Sequence, residues 1–285
     1  LEENYRSTKT ILQAANEVIK NNKNRRPKNL WTQNADGEQI VYYRADDELD
    51  EAVFVARTID ELSRSQNFLH KDFAVLYRTN AQSRTIEEAL LKSNIPYTMV
   101  GGTKFYSRKE IRDIIAYLNL TANLRDGSSF ERIINEPKRG IGLGTVEKIR
   151  DFANLQNMSM LDASANIMLS GIKGKAAQSI WDFANMMLDL REQLDHLSIT
   201  ELVESVLEKT GYVDILNAQA TLESKARDEN IEEFPSVTKN FDDTTDVTEE
   251  ETGLDKLSRF LNDLALIADT DSGSQETSEV TLMTL

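Results

Sequence analysis

The sequence predicts an α/β fold in which a partial parallel sheet domain carries a large, mainly α-helical insertion. Three observations lead to this fold class. Strand-like and helix-like patterns alternate over the first hundred residues, a helical pattern dominates from Arg108 onward, and the run Val280 to Leu285 is again apolar and β-prone. Strands that alternate with helices form parallel sheets, so we expect the last run to return to the first sheet. The helical stretch would then be an insertion.

The first helix is predicted directly after Ser7 and Thr8, either of which can cap its amino terminus. Its apolar residues recur at helical spacing: Ile11, Leu12, Ala15, Val18 and Ile19. Further along, the run Gln39 to Tyr43 predicts a strand, and Glu48 to Ser63 predicts a second helix with one apolar face.

Three further elements continue the alternation. Phe73 to Tyr77 is a nearly continuous apolar run, as expected of a buried parallel strand. Ser83 to Ser93 predicts a helix, and Pro96 to Val100 predicts another short strand. The order strand, helix, strand, helix, strand indicates a parallel sheet covered by helices on both faces.

Beyond Gly101 and Gly102 the apolar residues follow helical spacing almost throughout. Four stripes are predicted to form the core of the insertion: Ile111, Ile114, Ile115 and Leu118; Ile180, Phe183, Ala184, Met187 and Leu194; Ile199, Leu202, Val203, Val206 and Leu207; Leu254, Leu257, Leu261, Leu264 and Ala268. The Thr- and Asp-rich segment from about 225 to 252 predicts a mobile acidic loop before the last stripe.

Composition excludes several classes of protein. The 285 residues are 40% hydrophobic, which is enough for one large core or two moderate ones. The absence of cysteine excludes disulfides, thiolate zinc sites and thiol nucleophiles. His70 and His196 are too far apart in sequence for a local metal motif, and no metal site is predicted. The sequence contains no run of about 18 apolar residues, so no membrane span is predicted.

The net charge of -15 is concentrated near the carboxyl end. Between Asp228 and Glu279 there are 16 acidic and 3 basic residues, whereas the other residues hold 32 acidic and 30 basic ones. The first 227 residues are therefore nearly balanced, which permits a face that binds DNA.

The segment from Lys138 to Arg150 combines glycines with cations. Its glycines are Gly140, Gly142 and Gly144, and its cations are Lys138, Arg139, Lys148 and Arg150. The glycines let the backbone approach a phosphate, and Thr145 offers a helix cap and a hydroxyl donor. A helix-hairpin-helix element binds duplex phosphates in this way without reading bases. A tight turn between two helices has the same glycines, so both interpretations are open.

Arg78, Asn80 and Arg84 follow the predicted strand Phe73 to Tyr77. Open parallel sheets bind ligands at the carboxyl ends of their strands. Arginine neutralises phosphate and asparagine hydrogen-bonds sugar or phosphate, so the three residues predict a sequence-independent contact with single-stranded DNA. The alternative is a helix cap with ordinary surface charge.

Several segments, in the same order along the chain, resemble motifs of superfamily 1A DNA helicases of the UvrD/PcrA/Rep type. The resemblance is strongest to the PcrA group. Asn4-Tyr5-Arg6-Ser7 resembles the motif in which an aromatic ring stacks on adenine and an arginine reaches the γ-phosphate of ATP. Leu76 to Arg84 resembles the motif that faces single-stranded DNA, and Gly101 to Asp113 resembles the junction between the family's 2A and 2B domains. Arg139 to Thr145 resembles the glycine loop with which 2B contacts duplex DNA. Val280 to Leu285 resembles the start of a later motif of the same family.

The resemblance implies an ATP-dependent 3′ to 5′ DNA helicase that translocates on single-stranded DNA and unwinds duplex in repair and replication. Residues 1–109 would be the amino-terminal part of a RecA-like 2A domain, 110–279 the inserted 2B domain, and 280–285 a truncated returning strand of 2A. Tyr5 and Arg6 would bind ATP, with Arg6 catalytic.

The resemblance also implies ligands and partners. ATP and Mg²⁺ would be bound mainly by a 1A domain that this chain lacks. The implied partners are single-stranded and duplex DNA, the 1A and 1B domains, and repair or replication proteins. No association with a membrane is implied. The implied location is the bacterial cytoplasm, in association with the nucleoid.

The phosphate-binding pattern Gly-x-x-x-x-Gly-Lys-Ser/Thr is absent, and the sequence does not begin with methionine. We therefore interpret the chain as a fragment that does not hydrolyse ATP by itself. Two alternatives are open: a non-catalytic DNA- or protein-binding regulatory module, and the helicase portion of a helicase-nuclease.

Overall fold

The computed structural model describes residues 2–23, 28–244, 251–270 and 278–284. The chain divides into two compact units, Leu1–Glu51 and Ala52–Leu285. The smaller unit contains one complete helix and irregular segments, whereas the larger unit contains the sheet and the helical part.

In the smaller unit, helix α1 (Lys9–Ile19) is capped by a returning loop. Thr8 occupies the cap position, but its side chain makes no capping hydrogen bond, so the predicted side-chain cap is not formed there. Instead, the carbonyls of Ala35 and Asp36 accept the first amides of the helix, both at 3.2 Å. Gly37 follows with a φ of +74°, and a Cβ there would lie 2.6 Å from Cγ2 of Thr8. The loop therefore requires glycine at this position.

The strand predicted at Gln39 to Tyr43 is wrong. The segment is irregular, and the side chains of Ile40, Val41 and Tyr42 are 59%, 79% and 85% exposed. A strand is stabilised by hydrogen bonds to a neighbouring strand, and among the described residues no segment pairs with this one. The apolar pattern alone is thus not sufficient for a strand.

The larger unit contains a parallel sheet of three strands in the described residues. Its elements are α2 (Glu48–Gln66, which spans the boundary between the units), β1 (Ala74–Tyr77), α3 (Ser83–Lys92), β2 (Tyr97–Val100) and β3 (Val280–Thr284). The strand order is β1-β3-β2, and β3 pairs in parallel with both neighbours. The last strand of the chain therefore lies between the first two, which confirms the predicted α/β fold with a helical insertion.

A compact core lies beside this sheet. Its buried apolar residues are Ala52, Ala56, Ile59, Tyr77, Ile86, Leu90, Ile95, Tyr97, Val280 and Leu282. Leu76 of β1 and Val100 of β2 are 51% and 50% exposed. Successive residues of a strand point to opposite faces, so one face is less covered, and the predicted cover of both faces is not complete in the described residues.

Nine helices form the helical part in the described residues. They are α4 (Lys109–Ala122), α5 (Gly127–Ile133), α6 (Leu143–Gln156), α7 (Met160–Ala165), α8 (Lys175–Glu192), α9 (Ile199–Thr210), α10 (Tyr212–Gln219), α11 (Leu222–Thr244) and α12 (Gly253–Thr270). The predicted stripes contribute to one continuous core, in which Tyr117, Phe130, Phe183, Phe234 and Phe260 are the largest buried rings. The side chain of Ala268 lies outside the described residues.

The acidic segment predicted as a mobile loop is largely helical. Residues 225–244 belong to α11, whose Asn230, Ile231, Phe234 and Thr238 are buried. These positions lie at i, i+1, i+4 and i+8 and share one helix face, so a narrow buried stripe is enough to hold a helix that is acidic elsewhere. Residues 245–250 of the predicted loop lie outside the described residues.

Membrane spans and metal clusters are both absent from the described residues. No helix there is long and apolar enough to span a bilayer. No group of three or more His, Cys, Asp or Glu side chains in the same residues could hold a metal ion.

Candidate nucleotide and nucleic-acid sites

The smaller unit presents Tyr5 and Arg6 on a short turn. The side-chain oxygen of Asn4 accepts hydrogen bonds from the amides of Arg6 and Ser7 at 2.9 and 2.8 Å, which bends the chain. Tyr5 is 80% exposed. Its hydroxyl donates to Oε2 of Glu3 at 2.8 Å, and this hydrogen bond raises the pKa of Tyr5. Within the described part of the chain, the exposed guanidinium of Arg6 has no partner. An aromatic face and a free cation are therefore adjacent.

The glycine loop of the larger unit enters α6 with open backbone amides. Gly140 has a φ of +76°, which favours glycine, and Gly142 occupies the cap position before α6. The carbonyl of Gly142 accepts the first helical hydrogen bond, from the amide of Thr145 at 2.9 Å. The amides of Gly142, Leu143 and Gly144 precede that bond, so the helix provides no acceptor for them.

The approach to these amides is unobstructed. A Cβ built at Gly140, Gly142 or Gly144 would meet no atom within 4 Å. Only the backbone of the loop therefore limits how closely a phosphate can approach these amides. A helix amino terminus also favours negative charge, because the peptide dipoles leave partial positive charge there.

Side chains around the loop differ in their availability. Thr145 is the third residue of α6, so it does not cap the helix as predicted, and its hydroxyl has no partner among the described residues. Lys138 and Lys148 are exposed and, in the same part of the chain, also unpaired. Arg150 pairs with Glu131 at 2.6 Å, which partly neutralises its charge. Two lysines and one hydroxyl are thus free to bind an anion.

Arg139 supports the loop from inside. Its guanidinium donates to the carbonyls of Ile133, Ile134 and Pro137 at 2.9, 3.2 and 3.3 Å and to the hydroxyl of Tyr117 at 2.6 Å. Burial raises the pKa of Tyr117 to about 12 despite the opposing effect of Arg139. These bonds engage Nη1 and Nη2 of the half-buried Arg139, whereas its Nε has no partner among the described residues. Arg139 therefore holds the loop in place, and its phosphate contact stays a prediction.

Sequence reasoning missed Asn135, which holds the same loop. Its side-chain oxygen accepts hydrogen bonds from the amides of Arg139 at 2.9 Å and Ile141 at 3.0 Å. The available signal was an asparagine two residues before a proline, a common turn composition. That signal does not identify which amides the side chain binds.

Arg78 and Asn80 lie just beyond the carboxyl end of β1, as predicted. Oε1 of Gln82 accepts hydrogen bonds from the amides of Arg78 at 3.0 Å and Thr79 at 3.2 Å. These bonds hold the turn that leads from β1 to α3. The guanidinium of Arg78 is exposed and, within the described residues, unpaired. Asn80 lines a cleft of about 580 Å³ together with Gly102, where a Cβ would lie 3.4 Å from the amide oxygen of Asn80. No residue of the glycine loop lines this cleft.

Arg84 is not available to DNA in this arrangement. It is 4% exposed, and its guanidinium binds Glu233 of α11 at 2.6 Å and Glu88 of α3 at 3.0 Å. Burial lowers the pKa of Arg84, but the two carboxylates outweigh that effect and raise it overall. The predicted DNA contact is therefore corrected: Arg84 joins α3 to α11.

A second buried arginine, Arg108, completes this junction and was also missed. It donates to Oδ1 of Asn230 at 2.7 Å and to Oγ of Ser83 at 2.8 Å, and it lies 3.7 Å from Glu87. Glu87 also accepts hydrogen bonds from the hydroxyl of Tyr97 and from a backbone amide, both at 3.1 Å. Burial raises the pKa of Glu87. No local sequence pattern marks such a network, because its members come from α3, β2, the amino end of α4 and α11.

The described residues form an α/β protein with a helical insertion. The chain belongs to the UvrD-like helicase C-terminal domain family, whose model it matches over residues 1–285. Its relatives include the ATP-dependent DNA helicase PcrA of Bacillus subtilis (strain 168), which is 51% identical over 291 residues. The proteins of the same name from Staphylococcus aureus (strain Mu50 / ATCC 700699) and Leuconostoc citreum are each 50% identical. Each comparison covers 100% of this chain and 38% of the relative, so the chain spans little more than a third of their length.

Proposed function

We propose that this chain forms the 2A and 2B portion of a PcrA-type, ATP-dependent 3′ to 5′ DNA helicase. The observation that carries the proposal is the open amino terminus of α6, where free amides and unpaired lysines meet in a member of this family. Such a site binds phosphates of any sequence, as an unwinding enzyme requires. The name of these relatives, ATP-dependent DNA helicase PcrA, supports the same activity.

The proposed domains follow the order of the elements. The sheet part, residues 1–109 with the returning strand 280–285, corresponds to 2A, and residues 110–279 correspond to the inserted 2B domain. The middle position of β3 supports this assignment, because the chain leaves the sheet after β2 and returns to it only at its end. The 1A and 1B domains of the whole protein are the proposed partners of this portion.

Tyr5 and Arg6 are the proposed nucleotide contacts. The exposed ring suits stacking on a base, and the free guanidinium suits charge that develops on the γ-phosphate. ATP with Mg²⁺ supplies the phosphoryl group and its charge neutralisation when bound. The ligands of Mg²⁺ are proposed to lie in the 1A domain.

Arg78 and Asn80 are the proposed contacts with single-stranded DNA. Both lie at the carboxyl end of a parallel strand, where such sheets bind ligands. The unpaired cation binds phosphate, and the amide in the cleft binds phosphate or sugar. Duplex and single strand would thus contact different parts of the chain.

The test compares duplex and single-strand binding by the full-length protein. Gly142→Val should weaken binding to a duplex with a 3′ tail, since the side chain fills the approach to the amides. The residue has an ordinary φ of -85° and open space around it, so the variant is expected to fold. Thr145→Ala should act in the same direction. ATPase stimulated by single-stranded DNA should persist in both variants.

A salt series with matched lysine variants supplies the control. Lys138→Gln should flatten the dependence of log K on log salt by about 0.9 for each phosphate that the protein no longer neutralises. Lys239→Gln removes an exposed lysine of α11 and should leave the slope unchanged. A folded Gly142→Val protein that binds tailed duplex like the parent would reduce the loop to a turn between helices.

A further inference from the structure

A cavity of about 320 Å³ lies between three helices of the helical part. Each helix contributes residues of one face: Arg112 and Asn119 of α4, Ser128 and Arg132 of α5, and Leu264 and Ala265 of α12. Within α4 and within α5, these residues are spaced by whole helical turns, so they point in the same direction. None of them belongs to the predicted nucleotide or DNA contacts.

One wall of the cavity carries hydrogen-bond donors that the protein does not use. In the described part of the chain, the guanidinium of Arg112, the amide of Asn119 and the hydroxyl of Ser128 have no partner. No Asp or Glu lines the cavity, although the whole chain carries a net charge of -15. Free donors without a competing carboxylate favour an anionic ligand.

Arg132 is fixed in place beside these donors. One nitrogen of its guanidinium binds Oδ1 of the buried Asp113 at 2.7 Å and the carbonyl of Lys109 at 3.2 Å. Its Nε is enclosed and has no acceptor. Asp113 and Glu136 are the nearby carboxylates, and Lys109 pairs with both, at 3.7 and 2.6 Å. The charge of Arg112 therefore remains uncompensated.

The opposite wall is apolar. Leu261, Leu264 and Ala265 of α12 lie at i, i+3 and i+4, and Ile115 of α4 and the ring of Tyr106 extend this surface. The volume is near the lower limit of small-ligand pockets, which lie at about 300–1,000 Å³. It accommodates one charged group and one ring or branched aliphatic body, but not a helix or a folded partner.

We propose that this cavity binds a small organic anion, in which a phosphate or carboxylate is attached to a compact apolar or aromatic body. The anionic group binds Arg112 and Ser128, and the apolar body packs on α12. Because α4, α5 and α12 all line the cavity, a bound ligand contacts three helices of the proposed 2B domain. The site is independent of the DNA contacts proposed above.

The test uses two simple probes and the full chain. Phenyl phosphate and benzoate are titrated separately, and binding is followed by amide chemical shifts in nuclear magnetic resonance spectra. We expect saturable shifts at Ser128, Ser129 and Arg132 with a Kd on the order of 1 mM for at least one probe, given its size. The better probe identifies phosphate or carboxylate as the preferred group. Inorganic phosphate and benzyl alcohol, which each lack one half of the ligand, should bind at least about tenfold more weakly.

Three variants localise the binding. Arg112→Gln removes an unpaired surface charge and should weaken the probe about tenfold or more. Arg125→Gln removes another exposed arginine outside the cavity and should match the parent. Ala265→Phe fills the cavity from its apolar side without changing charge and should abolish the shifts. The proposal is overturned if neither probe saturates, if Arg112→Gln binds like the parent, or if inorganic phosphate binds as tightly as phenyl phosphate.

Discussion

At the scale of single residues, the four arginines assigned to ligand contacts fall into two classes. Arg6 and Arg78 are exposed and unpaired in the described part of the chain, whereas Arg84 and Arg139 bind carboxylates or carbonyls of the protein. A buried guanidinium requires partners, because an uncompensated charge in the interior is costly. Pairing with acceptors of the protein therefore distinguishes Arg84 and Arg139 from the unpaired Arg6 and Arg78.

The free pair Tyr5 and Arg6 should show different kinetic effects in the full-length protein. If Arg6 stabilises charge that develops in phosphoryl transfer, Arg6→Ala should lower kcat by about 10³-fold or more, with a smaller effect on ATP binding. Tyr5→Ala should act mainly on nucleotide affinity. Steady-state ATPase kinetics and nucleotide titration measure the two effects. Small and equal effects of both substitutions would argue against a nucleotide site here.

The two classes of arginine predict opposite outcomes for matched substitutions. Arg84→Gln should lower the free energy of unfolding by about 3 kcal/mol, since it leaves Glu233 without its guanidinium partner and Glu88 with only the hydroxyl of Tyr106. Arg78→Gln should change it by less than about 0.5 kcal/mol but weaken binding to single-stranded DNA, with a salt slope lower by about 0.7. Urea unfolding and salt titration measure these values. Equal stability of the two variants would contradict the assigned roles.

At the scale of elements, α11 connects the helical part to α3 beside the sheet. Glu233 binds Arg84 of α3, and Asn230 binds Arg108 at the amino end of α4. The same helix has an acidic exposed surface, which is why its composition resembled that of a loop. Its position depends on a few buried polar contacts and on the rings of Phe234 and Phe260, whose centroids are 6.5 Å apart.

The junction should give the stability of the protein a specific pH dependence. Burial raises the pKa of Glu87 above its ordinary value of 4.5, so the folded state binds this proton more tightly than the unfolded state. Its contribution therefore favours folding below pH 4.5 and is lost as the pH rises through the raised pKa. The free energy of unfolding of the parent, relative to Glu87→Gln, should fall over that range. Urea titrations at a series of pH values measure the difference, and a constant difference would refute the assignment.

At the scale of the whole molecule, charge and function are distributed unevenly. The acidic residues concentrate between Asp228 and Glu279, whereas the free cations at the proposed DNA contacts lie between residues 78 and 148. Local charge therefore decides where an anion can bind, and the net charge of -15 does not.

The chain by itself should show no ATPase activity that DNA stimulates. The phosphate-binding pattern Gly-x-x-x-x-Gly-Lys-Ser/Thr is absent from the sequence, so we expect Tyr5 and Arg6 to provide weak nucleotide binding at most. A phosphate-release assay with and without single-stranded DNA, against a mock preparation, measures this. Turnover above the mock value would show a second phosphate site and contradict the assignment to a partial enzyme.

Local periodicity in the sequence was sufficient to predict most of the helices and strands. The helix at Glu48, the strand at Phe73 and the four helical stripes follow from the spacing of apolar residues, which reports directly on one buried face. The glycine loop and the ends of β1 follow from residue types that suit a phosphate. Tertiary structure alone decided that Gln39 to Tyr43 forms no strand in the described residues and that residues 225–244 are helical. It also decided that Arg84 is buried against Glu233 and that Arg139 binds acceptors of the protein. Strand pairing and burial depend on partners distant in sequence, and no local pattern contains that information.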